Sequence, residues 1–163
     1  MIVVADTSVL LNLVFLNQEH ILMSLFGNVL VSEAVASEFA RMGASSGRFS
    51  GLVIPAFCQH RLISCMPTNL AADARLDAGE AESLALALEL HADGVLMDES
   101  AGRSAAASLG VTAIGTLGIL VRAKQAGLID NIAPLLRRLI VDGRFRIAPA
   151  LVRDALQKTG ELS

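Results

Sequence analysis

Asp6 closes the apolar run "IVVAD", and Asp98-Glu99 close a second one, "GVLMDE". Both runs have the continuous apolar composition of strands covered on two faces in a parallel sheet. Ligands of open parallel sheets bind beyond the carboxyl ends of the strands. Carboxylates delivered to one such edge from two strands repel, and the proton affinity of one rises unless a cation neutralises them. A cluster of this kind therefore predicts a hard divalent ion held by oxygen ligands. For Asp6 a second reading stands beside this one, because Asp6-Thr7-Ser8 also has the residue types of a helix N-cap. The spacing of Asp77 and Glu80 is likewise that of a capping box, although its usual first residue is Ser or Thr.

Several other α/β chemistries are excluded by what surrounds Asp6. A dehalogenase-type phosphatase needs a second Asp two residues on, where Ser8 stands, and a receiver domain needs a Lys at a late strand end. The only lysines are Lys124 and Lys158, both in late helical segments. Neither GxGxxG nor GxxxxGK[ST] occurs, which removes the dinucleotide and P-loop sites.

The elements that must position these acids are set by periodicity and punctuation. Strands are expected at Ile2–Ala5, Val29–Val31, Gly94–Met97 and Thr112–Ile114. Helices are expected after Asp6 (carrying Val9, Leu10, Leu13, Phe15 and Leu16), at Glu19–Phe26 up to Gly27, at Glu33–Arg41, and from Asp77 to about Leu90. Further helices are expected at Arg103–Leu109, Thr116–Ala126, Asn131–Val141 and Pro149–Lys158, the last with Pro in its first turn. Met42–Gly51, rich in Gly and Ser, reads as the most flexible loop, and Leu52–Pro67 gives no assignable pattern. Strands alternating with helices of this length predict an α/β fold with a parallel sheet flanked on both sides.

A chain of 163 residues is expected to form a single domain over residues 1–163, about 117–163 being a helical, basic C-terminal part. Hydrophobic residues make up 53% and charged ones 18%, with neither Trp nor Tyr, so the core must be aliphatic and general disorder is excluded. The longest uncharged stretch, Ser104 to Val121, is broken by Gly110, Gly115 and Gly118, unlike a membrane span. With a strand-like start lacking a basic leader, a soluble cytoplasmic protein is expected. Cys58 and Cys65 lack the spacing of a zinc framework and are expected to be buried thiols. The net charge of −3 is unevenly spread: residues 1–116 carry 5 basic and 12 acidic side chains, residues 117–163 carry 8 basic and 4 acidic. Acids in front of a basic flank suit a metal-dependent enzyme acting on phosphodiesters, and equally suit ordinary solvated helix faces.

Six segments in order, "VVADTSVLLNL", "VSEAVASEFARMG", "DAGEAESLALALEL", "GVLMDESAGRSAAASLGV", "IGTLGILVRAKQAGLI" and "GRFRIAPALVRDALQKTGE", resemble the PIN-domain nucleases, in particular a small prokaryotic PIN-like subgroup related to toxin–antitoxin nucleases. The resemblance covers all but about residues 48–74. It implies a three-layer α/β/α fold with a central parallel sheet. It also implies four metal-binding acids: Asp6 with hydroxyl support from Thr7 or Ser8, Glu38 in "VASEF", Glu80 in "GEAE", and either Asp98 or Glu99. Glu99 departs from the Asp usual there, and Ser32 replaces a frequent Pro. Glu33 and Glu82 fall on other faces of their helices.

The activity that the resemblance implies is that of a metal-dependent endoribonuclease using Mg2+ or Mn2+ to activate a water and neutralise the scissile phosphate. Arg103 is placed either to pair with Glu99 four residues earlier or to contact phosphate. Arg122, Arg137, Arg138, Arg144 and Arg146 are candidates for contact with the RNA backbone, and base stacking would rest on Phe. The high apolar content suggests surface covered by a second copy, making a homodimer, or by a small antitoxin protein, the chain then being the toxin of the pair. The alternatives are a catalytically silent PIN-like module that binds RNA or protein, and a purely structural partner protein.

Overall fold

The computed structural model describes residues 1–143 and 145–162. Its sheet is all parallel, in the order β3-β2-β1-β4-β5, built from β1 (Ile2–Ala5), β2 (Asn28–Ser32), β3 (Gln59–Arg61), β4 (Gly94–Leu96) and β5 (Ala113–Ile114). Pairing runs Val3 against Val29 on one side of β1 and Val3 against Gly94 on the other. Side chains of a strand alternate between faces, and the core divides accordingly. Val3, Ala5, Val29, Val31, Leu96 and Ile114 face one hydrophobic layer, whereas Val4, Leu30, Val95 and Met97 face the other.

The first layer is formed by α1 (Thr7–Phe15), α2 (Ile21–Phe26), α3 (Glu33–Ala44), α7 (Thr116–Gln125), α8 (Ala133–Val141) and α9 (Pro149–Lys158). Across the sheet lie α4 (Thr68–Ala71), α5 (Ala78–Glu89) and α6 (Ser100–Ser108). The result is the expected three-layer α/β architecture. Among the described residues, no helix is long and apolar enough to cross a membrane.

Local chemistry sets the element ends. Ser32 accepts a bond from the Val35 amide at 3.3 Å and caps α3, while Glu82, from α5, accepts from the Ala34 amide at 2.8 Å. Glu82 is therefore engaged at a helix start, in keeping with its position off the Glu80 face. Near the chain end, Glu161 accepts from the Ile132 and Ala133 amides, closing the start of α8 from 29 and 28 residues away.

Three expectations need correction. Residues 52–67, unassigned from sequence, contain β3, an edge strand whose residues are all exposed and so carry no apolar signal. Helix α6 begins at Ser100 rather than Arg103, making Glu99 its extended N-cap residue. Cys65 is exposed and Cys58 only half-buried, so the two thiols are not both core residues.

Candidate functional site

The strand alternation decides which acids meet. Asp6 follows β1 in the same parity as Val4, which faces α5 and α6; Asp98 shares the parity of Leu96, which faces the opposite layer. Glu99 shares that of Val95 and Met97, and so returns to the side of Asp6. A pocket of about 380 Å3 at the carboxyl end of β1 is accordingly lined by Asp6, Glu38, Asp77, Glu80 and Glu99, with Thr7 and Ser8 beside them.

Asp6 is 4% exposed and occupies the N-cap position of α1, yet its side chain makes no capping bond. The capping reading of Asp6 is thereby removed. Burial, reinforced by the neighbouring carboxylates of Asp77, Glu80 and Glu38 and only partly offset by the Thr7 amide, pushes its carboxyl up to about 7. Thr7 Oγ1 donates to Glu38 Oε2 at 2.6 Å, tying α3 to the start of α1.

Glu80 does two things. Its Oε2 accepts from the Asp77 amide at 2.9 Å while Asp77 Oδ1 accepts from the Glu80 amide at 2.8 Å, a complete capping box. Burial, with the charges of Asp77, Glu99 and Asp73, raises the Glu80 carboxyl against the pull of the Asp77 amide. The capping and the site readings of Glu80 are therefore not exclusive: one oxygen caps α5 and the other, Oε1, faces α6.

Two glycines permit this convergence. A Cβ built on Gly79 would lie 3.2 Å from Asp6 Oδ1 and 3.6 Å from Glu38 Oε2, and one on Gly102 would lie 2.2 Å from Met97 Sδ and 3.3 Å from Glu80 Oε1. Helices α5 and α6 approach the acids through faces without side chains.

Asp98 does not join the pocket. Its Oδ1 accepts from the Thr116 amide at 2.7 Å, and its Oδ2 accepts from Thr116 Oγ1 at 2.6 Å and Asn12 Nδ2 at 3.0 Å. These bonds fasten the start of α7 to α1, where Gly115 supplies no cap of its own. Arg103 does not pair with Glu99 either: its Nη1 donates to the Met97 carbonyl at 3.2 Å. The physical reason is the earlier start of α6, which leaves Glu99 on extended backbone before the helix, pointing into the acid pocket.

Of the remaining arginines, Arg103, Arg122 and Arg146 line a larger groove of about 680 Å3 between β5, α7 and α9, together with Asp98 and Phe145. Arg138 instead lies over the Phe15 ring at 5.5 Å and donates to the Phe15 carbonyl. Arg137 is exposed on α8, outside both concavities, and Arg144 lies outside the described residues.

Among the described residues, no three carboxylate, imidazole or thiol side chains converge closely enough to hold an ion without movement. The donor set nonetheless fits a hard divalent cation: it is made of oxygens, its deepest member makes no capping bond to its helix, and Ser8 Oγ is buried nearby with no partner. Glu38 is half-buried and Glu99 exposed.

A parallel sheet in this order, with helices on both faces and acids gathered beyond β1 and β4, makes a three-layer α/β domain with a carboxylate pocket at the carboxyl edge of its sheet. The chain belongs to the PIN-domain family: the model of DUF3368, described as a PIN domain, matches residues 2–161. Comparison with curated proteins and with solved structures gave no match. PIN domains are generally nucleases that use divalent metals.

The structure thus brings Asp6, Glu38, Glu80 and Glu99 together, with Thr7 and Ser8, and leaves Asp98 outside. Two further pocket residues carry no site signal in the sequence. Asp77 reads there only as a cap. Arg75, in the loop before α5, has no motif around it, and only its proximity to "DAGE" could draw attention.

Proposed function

We propose that this protein is a metal-dependent endoribonuclease whose Asp6, Glu38, Glu80 and Glu99 hold Mg2+ or Mn2+. The observation that carries the reading is the buried, uncapped Asp6 opening into a pocket shared with four further acids, Glu38, Asp77, Glu80 and Glu99, in a PIN-domain chain. Bound there, a divalent cation lowers the pKa of an attacking water and neutralises charge on the scissile phosphate. The chain's own groups do the rest. Thr7 holds one oxygen of Glu38, the capping box holds Glu80, and buried Ser8 Oγ offers a hydroxyl to whatever enters.

RNA is the substrate in this reading, and Arg103, Arg122 and Arg146 along the larger groove provide its backbone contacts. Phe145 supplies an aromatic ring on the groove wall. Exposed Ile140, Val141 and Leu151 support a covered surface, either in a homodimer or against a small antitoxin protein. In that setting the chain is the cytoplasmic toxin of a toxin–antitoxin pair.

The test is incubation of purified protein with single-stranded and structured RNA plus Mn2+. Cleavage by the wild type, abolished in Asp6→Asn, is expected; equal degradation by the two proteins would reject the assignment.

A further inference from the structure

The acid pocket contains one feature that metal binding leaves unused. Among the described residues lining it, Arg75 is the only cation, set against the carboxylates of Asp6, Glu38, Asp77, Glu80 and Glu99. We propose that Arg75 is the phosphate-binding residue of this site, presenting the free edge of its guanidinium to the RNA phosphodiester beside the carboxylates; this rests on the nuclease reading.

The geometry is that of a side chain held in advance. Asp73 Oδ1 accepts from Arg75 Nε at 3.0 Å and Asp73 Oδ2 accepts from Nη2 at 2.8 Å. The same Asp73 Oδ1 also accepts from the Arg75 backbone amide at 3.1 Å, so one carboxylate fixes both the turn and the guanidinium plane. Arginine carries five N–H donors, and this fork uses only two of those on the side chain. The opposite edge, with Nη1, has no acceptor among the described residues, and the side chain is 62% exposed. Asp73 is the more enclosed of the two, its side chain 20% exposed.

An exposed Arg–Asp pair ordinarily contributes little to stability, so the fold does not require it. What the pair does is hold a planar donor edge at the rim of a pocket of carboxylates, two residues before Asp77 of the capping box. Carboxylates repel a phosphodiester, and cations bound to them compensate for their charge. The substrate's own negative charge then needs a separate donor, which guanidinium geometry supplies bidentately. Arg103 does not fill this place, since it donates to the Met97 carbonyl and lines the other groove.

The experiment compares wild type, Arg75→Ala and Arg75→Lys on a fluorogenic single-stranded oligoribonucleotide in Mn2+. It also measures Mn2+ affinity by calorimetry and oligoribonucleotide affinity by anisotropy in Ca2+. The expected result is a loss in kcat/KM of about 10- to 100-fold for Arg75→Ala, the scale of one charge-assisted hydrogen-bond pair. Arg75→Lys should recover part of it, Mn2+ affinity should stay within about twofold, and oligoribonucleotide affinity in Ca2+ should fall for Arg75→Ala. The proposal is overturned if Arg75→Ala keeps the wild-type kcat/KM, or if its Mn2+ affinity falls in step with activity, which would mark a structural role in the loop. If the wild type cleaves nothing, the nuclease reading fails separately. The Ca2+ arm still decides Arg75, an unchanged oligoribonucleotide affinity overturning its phosphate contact.

Discussion

Replacing Asp6 by Asn removes an ionisable group from the deepest point of the acid pocket while keeping its shape. Its folded-state pKa, pushed up to about 7, lies above the ordinary carboxylate value, so the native state binds this proton more tightly than the unfolded chain. Linkage fixes the sign. In metal-free protein this group costs nothing at pH values where both states are protonated, costs progressively more stability as the pH rises through about 7, and then levels off.

Three tenfold steps in proton affinity set a ceiling of roughly 4 kcal/mol, and water reaching the open pocket reduces the realised cost to about 1–2 kcal/mol. For a domain of this size each kcal/mol moves Tm by about 2–4 °C. Without metal at about pH 8.5, Asp6→Asn is therefore expected to melt roughly 3–6 °C above wild type, with the gap narrowing as the pH falls below about 7 and closing only near about pH 4, where the unfolded carboxyl is protonated as well. Adding Mn2+ should reverse the order, because only the wild type gains ion binding to the folded state. Thermal denaturation across pH, with EDTA or with Mn2+, reads both effects. An Asn variant no more stable than wild type at alkaline pH, or a gap independent of pH, would refute the assignment of a desolvated, uncompensated carboxylate.

The neighbouring acids should separate by role. Glu99→Gln is expected to weaken Mn2+ binding by about tenfold or more in calorimetry while leaving Tm in EDTA unchanged, since one anionic ligand is lost from an exposed position. Asp98→Ala should do the opposite: it orphans the Thr116 amide and hydroxyl, costing about 2–4 kcal/mol in chemical denaturation, with Mn2+ affinity retained in the folded fraction. Burial pulls against the Ile132 and Ala133 amides at Glu161, and the amides prevail, holding its carboxyl below the ordinary range. Glu161→Gln should therefore cost about 1 kcal/mol at neutral pH, a difference that disappears as acid titration passes through the lowered native pKa. Gly102→Ala, which drives a Cβ into Met97 Sδ, should destabilise by about 1–3 kcal/mol and displace Glu80, seen as a lower Tm together with weaker Mn2+ binding.

The elements legible in the sequence are those whose physics is local. The apolar runs of β1, β2 and β4, and the helices opened by Ser32 and Asp77, declare themselves through composition and capping chemistry. Strand β3 does not, because Gln59, His60 and Arg61 lie at an exposed sheet edge. The start of α6 is hidden in Ser100-Ala101-Gly102, which has little helical signal, and that start governs where Glu99 points. The choice between Asp98 and Glu99 is nevertheless available from parity: the residue in step with Met97 faces α5, and the residue in step with Leu96 faces α7. Long-range engagements are not available at all. Asp98 with Thr116 and Asn12, Glu82 with Ala34, and Glu161 with the start of α8 join residues whose proximity only the folded chain creates.

The most direct test of the central claim is crystallography of the protein soaked in Mn2+, with anomalous scattering used to locate the ion. An anomalous peak ringed by oxygens of Asp6, Glu38, Glu80 and Glu99 is the expected result. Density that avoids this pocket, or that sits against Asp98 with Thr116 displaced, would contradict it.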